Sequence, residues 1–192
     1  MLIGIDGCGG AGKSTLAQAF KEVNSEKVSV IHMDDFYKPS KLRGSIETND
    51  IGGNWDCERV REQVLLPLSK NQNTQYQRYD WHEDVMAEWH DVLSGGVLVI
   101  EGCYSLVEEL ESYYDFKIWI DSPRDLRLAR GIERDGEQKR HLWEKIWMPD
   151  EELYIETQKT KDKVDLIIDG AGKQSNIKKL EINVLKINTP FL

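Results

Sequence analysis

The stretch GCGGAGKST, residues 7–15, restricts the fold of this chain more than any other feature. Four glycines within six positions cannot fill a core, and they raise the entropic cost of ordering the backbone in a helix or strand. The stretch matches G-x-x-x-x-G-K-[ST], in which glycines let successive backbone N–H groups surround phosphate oxygens. A strand-like run, LIGID at 2–6, precedes it, and a helical pattern from Ser14 to about Asn24 follows it. This order of strand, loop and helix predicts a site for a nucleoside triphosphate.

Residues of this phosphate-binding loop, or P-loop, have distinct predicted roles. Lys13 is placed to reach the β- and γ-phosphates, Ser14 to ligate Mg²⁺, and the helix to direct its positive end at the anion. Cys8 is expected to be a small filler that points away from the phosphates. The predicted ATP-binding set is Gly7, Gly9, Gly10, Ala11, Gly12, Lys13, Ser14 and Thr15.

Four further short apolar runs alternate with helical patterns along the chain. The runs are VSVIHM (28–33), VLVIE (97–101), FKIWI (116–120) and VDLII (164–168). The helical patterns cover residues 14–24, 56–69, 123–134 and 137–147. Near-continuous apolar runs of this length are typical of parallel strands that are buried on both faces. We therefore predict an α/β fold, a P-loop NTPase three-layer sandwich in which one domain over 1–192 has a central parallel sheet and helices on both faces.

Some local details also follow from the pattern. Asp121 or Ser122 can cap the helix that begins near Pro123, and a proline suits the first turn of a helix. His32 falls within an apolar run and is expected to be a core histidine. The tail at 177–187 fits a helix and a strand equally well.

Composition and charge exclude several classes of function. The net charge of −9 argues against a protein that holds DNA or RNA through its phosphates. No apolar run approaches the length of about 18 residues that a spanning helix needs. The N-terminus shows no export signal, and three cysteines without a C-x-x-C pair suit a reducing compartment. We expect a cytoplasmic protein without nucleic-acid or membrane partners.

Carboxylates follow two of the predicted strands. Asp34 and Asp35 come after the second strand, where one of them can accept a proton from an attacking hydroxyl. Paired aspartates also form turns and caps, so both interpretations stay open here. Glu101 ends the run VLVIE, where an acid can hold Mg²⁺ directly or through water, unless it is an incidental acid at a strand end.

The chain resembles uridine kinase and its P-loop kinase relatives, which include pantothenate kinase and phosphoribulokinase. The resemblance rests on GIDGCGGAGKST, HMDDFY, QRYDW, VIEG and RLARGIERD, which follow in order through roughly residues 2 to 170. It implies that Asp34 is the base that activates a ribose 5′-hydroxyl and that Tyr37 lies beside the acceptor. It also implies that Asp50 contacts the acceptor's sugar and Tyr79 its base.

The resemblance further implies a small helical lid, at roughly 127–148, whose arginines close over the phosphates. The resemblance assigns that role to Arg130 and Arg134, and this agrees with the ability of a guanidinium to neutralise charge on the transferring phosphoryl group. The residues alone also allow Arg127, Arg130 and Arg134 to be a solvated helix face. The predicted catalytic set is Asp34, Lys13, Arg130 and Arg134.

Departures from the family pattern concern the acceptor. Asn49 stands where uridine kinases have an aromatic residue, and Asp84 where they have a base-reading histidine. Gly131 stands where many have a second adjacent arginine. We predict an ATP- and Mg²⁺-dependent kinase for a small-molecule hydroxyl, foremost that of a nucleoside such as uridine or cytidine. Pantothenate, a sugar phosphate and nicotinamide riboside are alternative acceptors.

Two other classes of protein compete with a kinase. Residues 50–53 fit the D-x-x-G of a GTPase-type switch, although no apolar strand precedes them and no N-K-x-D motif occurs. A non-catalytic nucleotide-binding regulator would keep the P-loop and lose the acceptor site. Trp143 and Trp147, four positions apart, are expected to form a packing stripe or a contact in a homo-oligomer.

Overall fold

The computed structural model of the protein describes residues 1–23, 25–43, 51–172 and 184–187. Its strands are β1 (Leu2–Asp6), β2 (Val28–His32), β3 (Thr74–Asp80), β4 (Val85–Val92), β5 (Val97–Glu101), β6 (Phe116–Asp121), β7 (Leu166–Asp169) and β8 (Val184–Ile187). Six of them form one sheet in the order β2-β5-β1-β6-β7-β8, and β3 pairs only with β4. The five predicted strands are thereby confirmed.

Strand β1 lies in the interior of the sheet, and all five of its residues are therefore buried. It pairs in parallel with β5 on one side and with β6 on the other, so that Ile3 lies between Val99 and Phe116. Since β2 is parallel to β5 and β7 is parallel to β6, the carboxyl ends of these five strands meet at one edge of the sheet. Ligands of α/β sheets bind beyond that edge.

The helices are α1 (Lys13–Val23), α2 (Cys57–Val60), α3 (Leu66–Ser69), α4 (Arg124–Asp135), α5 (Arg140–Leu142), α6 (Met148–Gln158) and α7 (Thr160–Lys163). A π-helical turn, Arg61–Leu65, joins α2 to α3, and a second one, Trp143–Trp147, joins α5 to α6. The helix predicted over 137–147 therefore continues to Gln158. The helix predicted over 56–69 is confirmed, and the Asp56 side chain caps it by accepting the Arg59 N–H.

Apolar side chains fill both faces of the sheet. Ile3 and Ile5 of β1 pack on one face with Leu16 of α1. Leu2 belongs to the core on the opposite face, together with Val64 of the 57–69 helix. This alternation follows from the strand period of two residues. The result is the predicted three-layer arrangement of helices, sheet and helices. Within the described ranges, no helix combines the length and apolarity needed to cross a membrane.

The capping prediction for α4 is wrong. Pro123 occupies the N-cap position, and no side chain caps the helix. Asp121 instead accepts a hydrogen bond from Lys161 Nζ at 2.7 Å, and Ser122 Oγ donates to the Ala11 carbonyl at 3.1 Å. Both candidate caps are thus engaged by partners that are distant in sequence.

Two further elements complete the picture. The hairpin of β3 and β4 was not among the predicted strands, although it carries Tyr79 near the end of β3. In the tail, residues 184–187 form strand β8, which is antiparallel to β7. The rest of the tail pattern, 177–183, lies outside the described residues.

Candidate active site

The P-loop connects the carboxyl end of β1 to α1. Gly12 has a φ of 107°, which favours glycine, and a β-carbon there would meet no atom within 4 Å. A side chain at this position would therefore enter the open space that the loop surrounds. Lys13 is buried and lines the same cleft as Gly12, and its Nζ donates to the Cys8 carbonyl at 2.9 Å. The predicted order of strand, glycine-rich loop and helix is confirmed, and the binding of phosphate by the loop stays a prediction.

Glu101 and Ser14 meet at the start of α1. Ser14 Oγ donates to Glu101 Oε1 at 3.0 Å, and His32 Nδ1 lies 2.6 Å from the same oxygen. Two hard oxygen donors at this spacing are the ligand type that Mg²⁺ prefers. The prediction of a core histidine is wrong, because half of the His32 side chain is exposed. The hydrogen bond to Glu101 raises the pKa of His32 more than burial lowers it.

Asp34 and Asp35 lie in a 3₁₀ turn, Met33–Phe36, directly after β2. The side chain of Asp34 faces the cleft beyond the sheet edge, whereas Asp35 Oδ2 accepts the Tyr76 hydroxyl at 2.9 Å. The structure thus separates the roles of the pair. Asp34 is open to the cleft, but the surrounding protein removes enough water to raise the pKa of its carboxyl, and Glu101 adds to this.

The cleft has a volume of about 1340 Å³, which exceeds that of a typical pocket for one small ligand and leaves room for two substrates. Lys13, Ser14 and Glu101 line it near the P-loop. An aromatic wall lies beyond Asp34 and consists of Tyr37, Trp55, Trp81 and Tyr104. In this wall, the Tyr37 ring lies 4.1 Å from Trp81 and 4.9 Å from Trp55, measured between ring centroids.

Tyr79 is buried behind this wall and does not line the cleft. Its hydroxyl donates to Asp84 Oδ1 at 2.6 Å and accepts a hydrogen bond from Arg43. Asp84 also accepts from the backbone N–H of Ser40 at 2.8 Å and from its hydroxyl. A contact between Tyr79 and the acceptor stays a prediction, and Asp50 lies outside the described residues.

The three arginines of α4 have different surroundings. Arg130 Nη1 donates to the carbonyls of Gly10 at 3.1 Å and Gly170 at 2.9 Å, so it braces the P-loop from outside. Arg134 is exposed and paired with Asp135 at 2.8 Å. Both arginines line the cleft, as the prediction requires. Arg127 is buried, which contradicts the alternative of one solvated helix face.

Sequence reasoning missed Glu151 of α6. This buried carboxylate accepts the backbone N–H of Gly9 at 2.7 Å and pairs with Arg127 Nη1 at 3.0 Å. Glu151 is separated from Gly9 by 142 positions, and its local sequence reads as an ordinary acidic first turn of a helix. No signal in the sequence singles it out.

The prediction that Trp143 is a packing residue is confirmed, because its side chain is buried. The Trp147 ring lies edge-on to it at 5.3 Å and lines the cleft. The Trp143 indole nitrogen donates to Asp135 Oδ2 at 3.0 Å. This ring therefore holds the end of α4 against the π-helical turn.

The residues present fit a nucleoside triphosphate with Mg²⁺. The open cradle at Gly12 suits phosphate oxygens, and the adjacent Lys13 supplies positive charge. Burial lowers the pKa of Lys13, but the combined effect of the nearby Cys103, Glu151, Glu101 and Asp6 is larger and raises it. Ser14 and Glu101 provide the oxygen donors for the metal.

Comparison with known proteins gives the same picture. The sequence matches the model of the Phosphoribulokinase / Uridine kinase family over residues 2–176. It is 30% identical over 187 residues to the uridine kinase of Borrelia duttonii (strain Ly), covering 89% of this chain and 87% of that protein. With the uridine kinase of Clostridium novyi (strain NT) it shares 30% identity over 201 residues, covering 97% of this chain and 94% of the relative.

Solved structures share the fold. The structure of a possible uridine kinase from Bacillus stearothermophilus superposes with a TM-score of 0.69 over 87% of each chain, at 23% identity. A D-glycerate 3-kinase from Cryptococcus neoformans gives 0.61 at 16% identity, covering 96% of this chain and 88% of that one. With the family match spanning most of the sequence, the chain belongs to the Phosphoribulokinase / Uridine kinase family and is a P-loop small-molecule kinase.

Proposed function

We propose that the protein transfers the γ-phosphoryl group of ATP to a hydroxyl of a nucleoside such as uridine or cytidine. The observation that carries this proposal is the position of Asp34, between the P-loop and the aromatic wall of one cleft. A carboxylate there can reach a hydroxyl that is presented to the terminal phosphate. The uridine kinases among its relatives support the choice of acceptor.

In the proposed reaction, Asp34 accepts the proton of the attacking hydroxyl. Its raised pKa makes it a stronger base than an exposed aspartate, which suits general-base catalysis. Lys13, Arg130 and Arg134 offset the charge on the phosphoryl oxygens. Mg²⁺ would be held by Ser14 and Glu101 and would neutralise phosphate charge when bound. We propose that residues 127–148 move as a lid that excludes water, within a single domain.

The chemistry of the acceptor end favours a ligand without negative charge. Tyr37, Asp34 and Asp150 all line the cleft, whereas Arg43, whose guanidinium lies 4.4 Å from the Tyr37 ring, is not among the lining residues. Burial raises the pKa of Tyr37, Arg43 opposes this rise, and the charges of Asp34 and Asp150 add to it. Flat aromatic rings suit a base, and carboxylates suit sugar hydroxyls. Anionic acceptors such as pantothenate or a sugar phosphate would be repelled. Nicotinamide riboside is the second candidate, because a cationic ring gains from aromatic faces and carboxylates together.

The test is ATP consumption with Mg²⁺ against a panel of acceptors, with products identified by mass. The panel contains uridine, cytidine, nicotinamide riboside, pantothenate and a sugar phosphate. Phosphorylated uridine or cytidine would support the proposal, and preferential phosphorylation of nicotinamide riboside would support the second candidate. Turnover of an anionic acceptor alone would contradict the argument that the acceptor end of the cleft favours a ligand without negative charge. Tight ATP binding without any product would indicate a regulator instead of a kinase.

A further inference from the structure

Glu151 connects the helix that follows the lid to the P-loop. Its Oε1 accepts the Gly9 N–H at 2.7 Å, and its Oε2 accepts from Arg127 Nη1 at 3.0 Å. The Cys103 thiol lies 3.5 Å from Oε1. The side chains of Glu151 and Arg127 are 8% and 7% exposed, so the pair is shielded from water and from screening by salt.

The P-loop is also in close steric contact with α6 and with the π-helical turn before it. A β-carbon at Gly9 would lie 2.8 Å from Trp143 Cη2 and 3.0 Å from Glu151 Oε1. The space beside Gly9 is therefore already occupied by protein. This glycine is needed for the approach of α6, whereas Gly12 is needed for the open cradle.

Helix α4 holds the adjacent residues of the loop. Arg130 Nη1 donates to the Gly10 carbonyl at 3.1 Å, and Ser122 Oγ donates to the Ala11 carbonyl at 3.1 Å. Residues 9–11 thus have one backbone group each bound from outside the loop. Two of these three contacts, those of Glu151 and Arg130, are made by charged groups, and hydrogen bonds to charged groups are the stronger ones. Glu151 is buried, whereas Arg130 is only partly buried.

We propose that Glu151 is a positioning residue that holds Gly9 and its neighbours in the shape that receives the nucleotide, and that it couples α6 and the lid before it to the P-loop. Glu151 does not need to touch the nucleotide for this role. A loop that is ordered in advance binds its ligand more tightly, because less conformational entropy is lost on binding. The inference rests on the proposed use of ATP but not on the identity of the acceptor.

The experiment compares Glu151→Ala with the matched control Glu152→Gln. Glu152 is the next residue of the same helix, is exposed, and pairs with Arg124 at 2.9 Å. Amide hydrogen exchange of residues 9–11 is measured in the nucleotide-free protein, and the Kd of Mg-ADP by calorimetry. The exchange measurement needs no ligand, so its result does not depend on whether the protein is a kinase.

For Glu151→Ala we expect exchange at residues 9–11 to become at least about tenfold faster, since the Gly9 N–H loses its acceptor. We expect the Kd of Mg-ADP to rise at least about tenfold, because binding then has to order a loop that is ordered in advance in the parent. Glu152→Gln should match the parent in both measurements. Unchanged exchange in Glu151→Ala would overturn the proposal, and so would a Kd within twofold of the parent or tighter.

Glu151→Gln keeps the question answerable if the alanine variant does not fold. Its amide oxygen can still accept the Gly9 N–H, but the charge that pairs with Arg127 is lost. Exchange and Kd should then lie between those of the parent and the values expected for alanine. Parity of Glu151→Gln with Glu152→Gln in both measurements would overturn the proposal.

Discussion

A β-carbon at Gly131 would lie 2.4 Å from Cε2 of Trp143, so a side chain at position 131 and the indole ring compete for the same space. The Trp143 ring therefore occupies the space that a side chain at position 131 would need. The same ring also lies close to Gly9 of the P-loop, where a β-carbon would be 2.8 Å from Cη2. This buried ring thus joins helix α4 to the P-loop.

The close contact between Gly131 and Trp143 predicts the effect of Gly131→Ala on stability. Alanine favours a helix by about 1 kcal/mol over glycine, but overpacking costs typically about 1–3 kcal/mol. We expect a net loss of up to about 2 kcal/mol of the free energy of unfolding, and a Tm lower by up to about 8 °C in differential scanning calorimetry. Glu133→Ala, at an exposed position of the same helix, should change stability little. A higher Tm for Gly131→Ala would show that Trp143 shifts without cost.

Asp34→Asn tests the proposed base. The amide keeps the size of the side chain but cannot accept the proton, so kcat should fall by about 10²–10⁴-fold with the Kd for ATP nearly unchanged. Asp35→Asn is the matched control, because its carboxylate is bound to Tyr76 and points away from the cleft. Initial rates and calorimetry measure the two quantities. Retention of turnover within a few-fold in Asp34→Asn would contradict the assignment.

His32→Ala tests whether the imidazole orients Glu101. Loss of the 2.6 Å contact should let the carboxylate rotate away from Ser14. Partners of metal ligands typically contribute about 10–100-fold to metal affinity, so the Mg²⁺ concentration for half-maximal turnover should rise by that factor. His90→Ala in the hairpin, where the imidazole pairs with Glu88, should leave the Mg²⁺ dependence as it is. If the two variants needed the same Mg²⁺ concentration for half-maximal turnover, His32 would lie beside Glu101 without orienting it.

The hydrogen bonds that Asp84 accepts from Ser40 and Tyr79 predict that stability depends on pH. Hydrogen bonds from Ser40, foremost from its hydroxyl, and from Tyr79 lower the pKa of Asp84 to about 2. A carboxyl whose pKa is lower in the folded state stabilises the fold above its unfolded pKa of about 4, and this contribution disappears as pH falls towards 2. The Tm difference between parent and Asp84→Asn should therefore shrink between pH 4 and pH 2. In a Ser40→Ala background the difference should be smaller and less dependent on pH, and a constant difference at all pH values would refute the argument.

The hairpin of β3 and β4 shows why some strands are not predicted from the sequence pattern. Tyr76 and Tyr79 are both buried, although they are three positions apart and not two. The register between β3 and β4 shifts between Gln77 and Tyr79, and such a bulge changes which face later side chains occupy. The regular alternation that marks a strand is therefore broken in the segment itself.

The prediction that His32 is a core histidine was wrong for a related reason. Its strand β2 lies at the edge of the sheet and, among the described strands, pairs with β5 alone, so an apolar run there does not guarantee burial. The imidazole is oriented by Glu101, a residue 69 positions away. A pattern within one segment cannot show which carboxylate the fold will bring beside it.

By itself, the sequence determined the five parallel strands, the P-loop and its lysine, and the carboxylates at the strand ends, because each is encoded in a short contiguous segment by period or by residue type. The tertiary structure alone decided that Asp34 and not Asp35 faces the cleft. It also decided that Glu151 holds Gly9, since hydrogen bonds and ion pairs join groups that become neighbours only when the chain has folded.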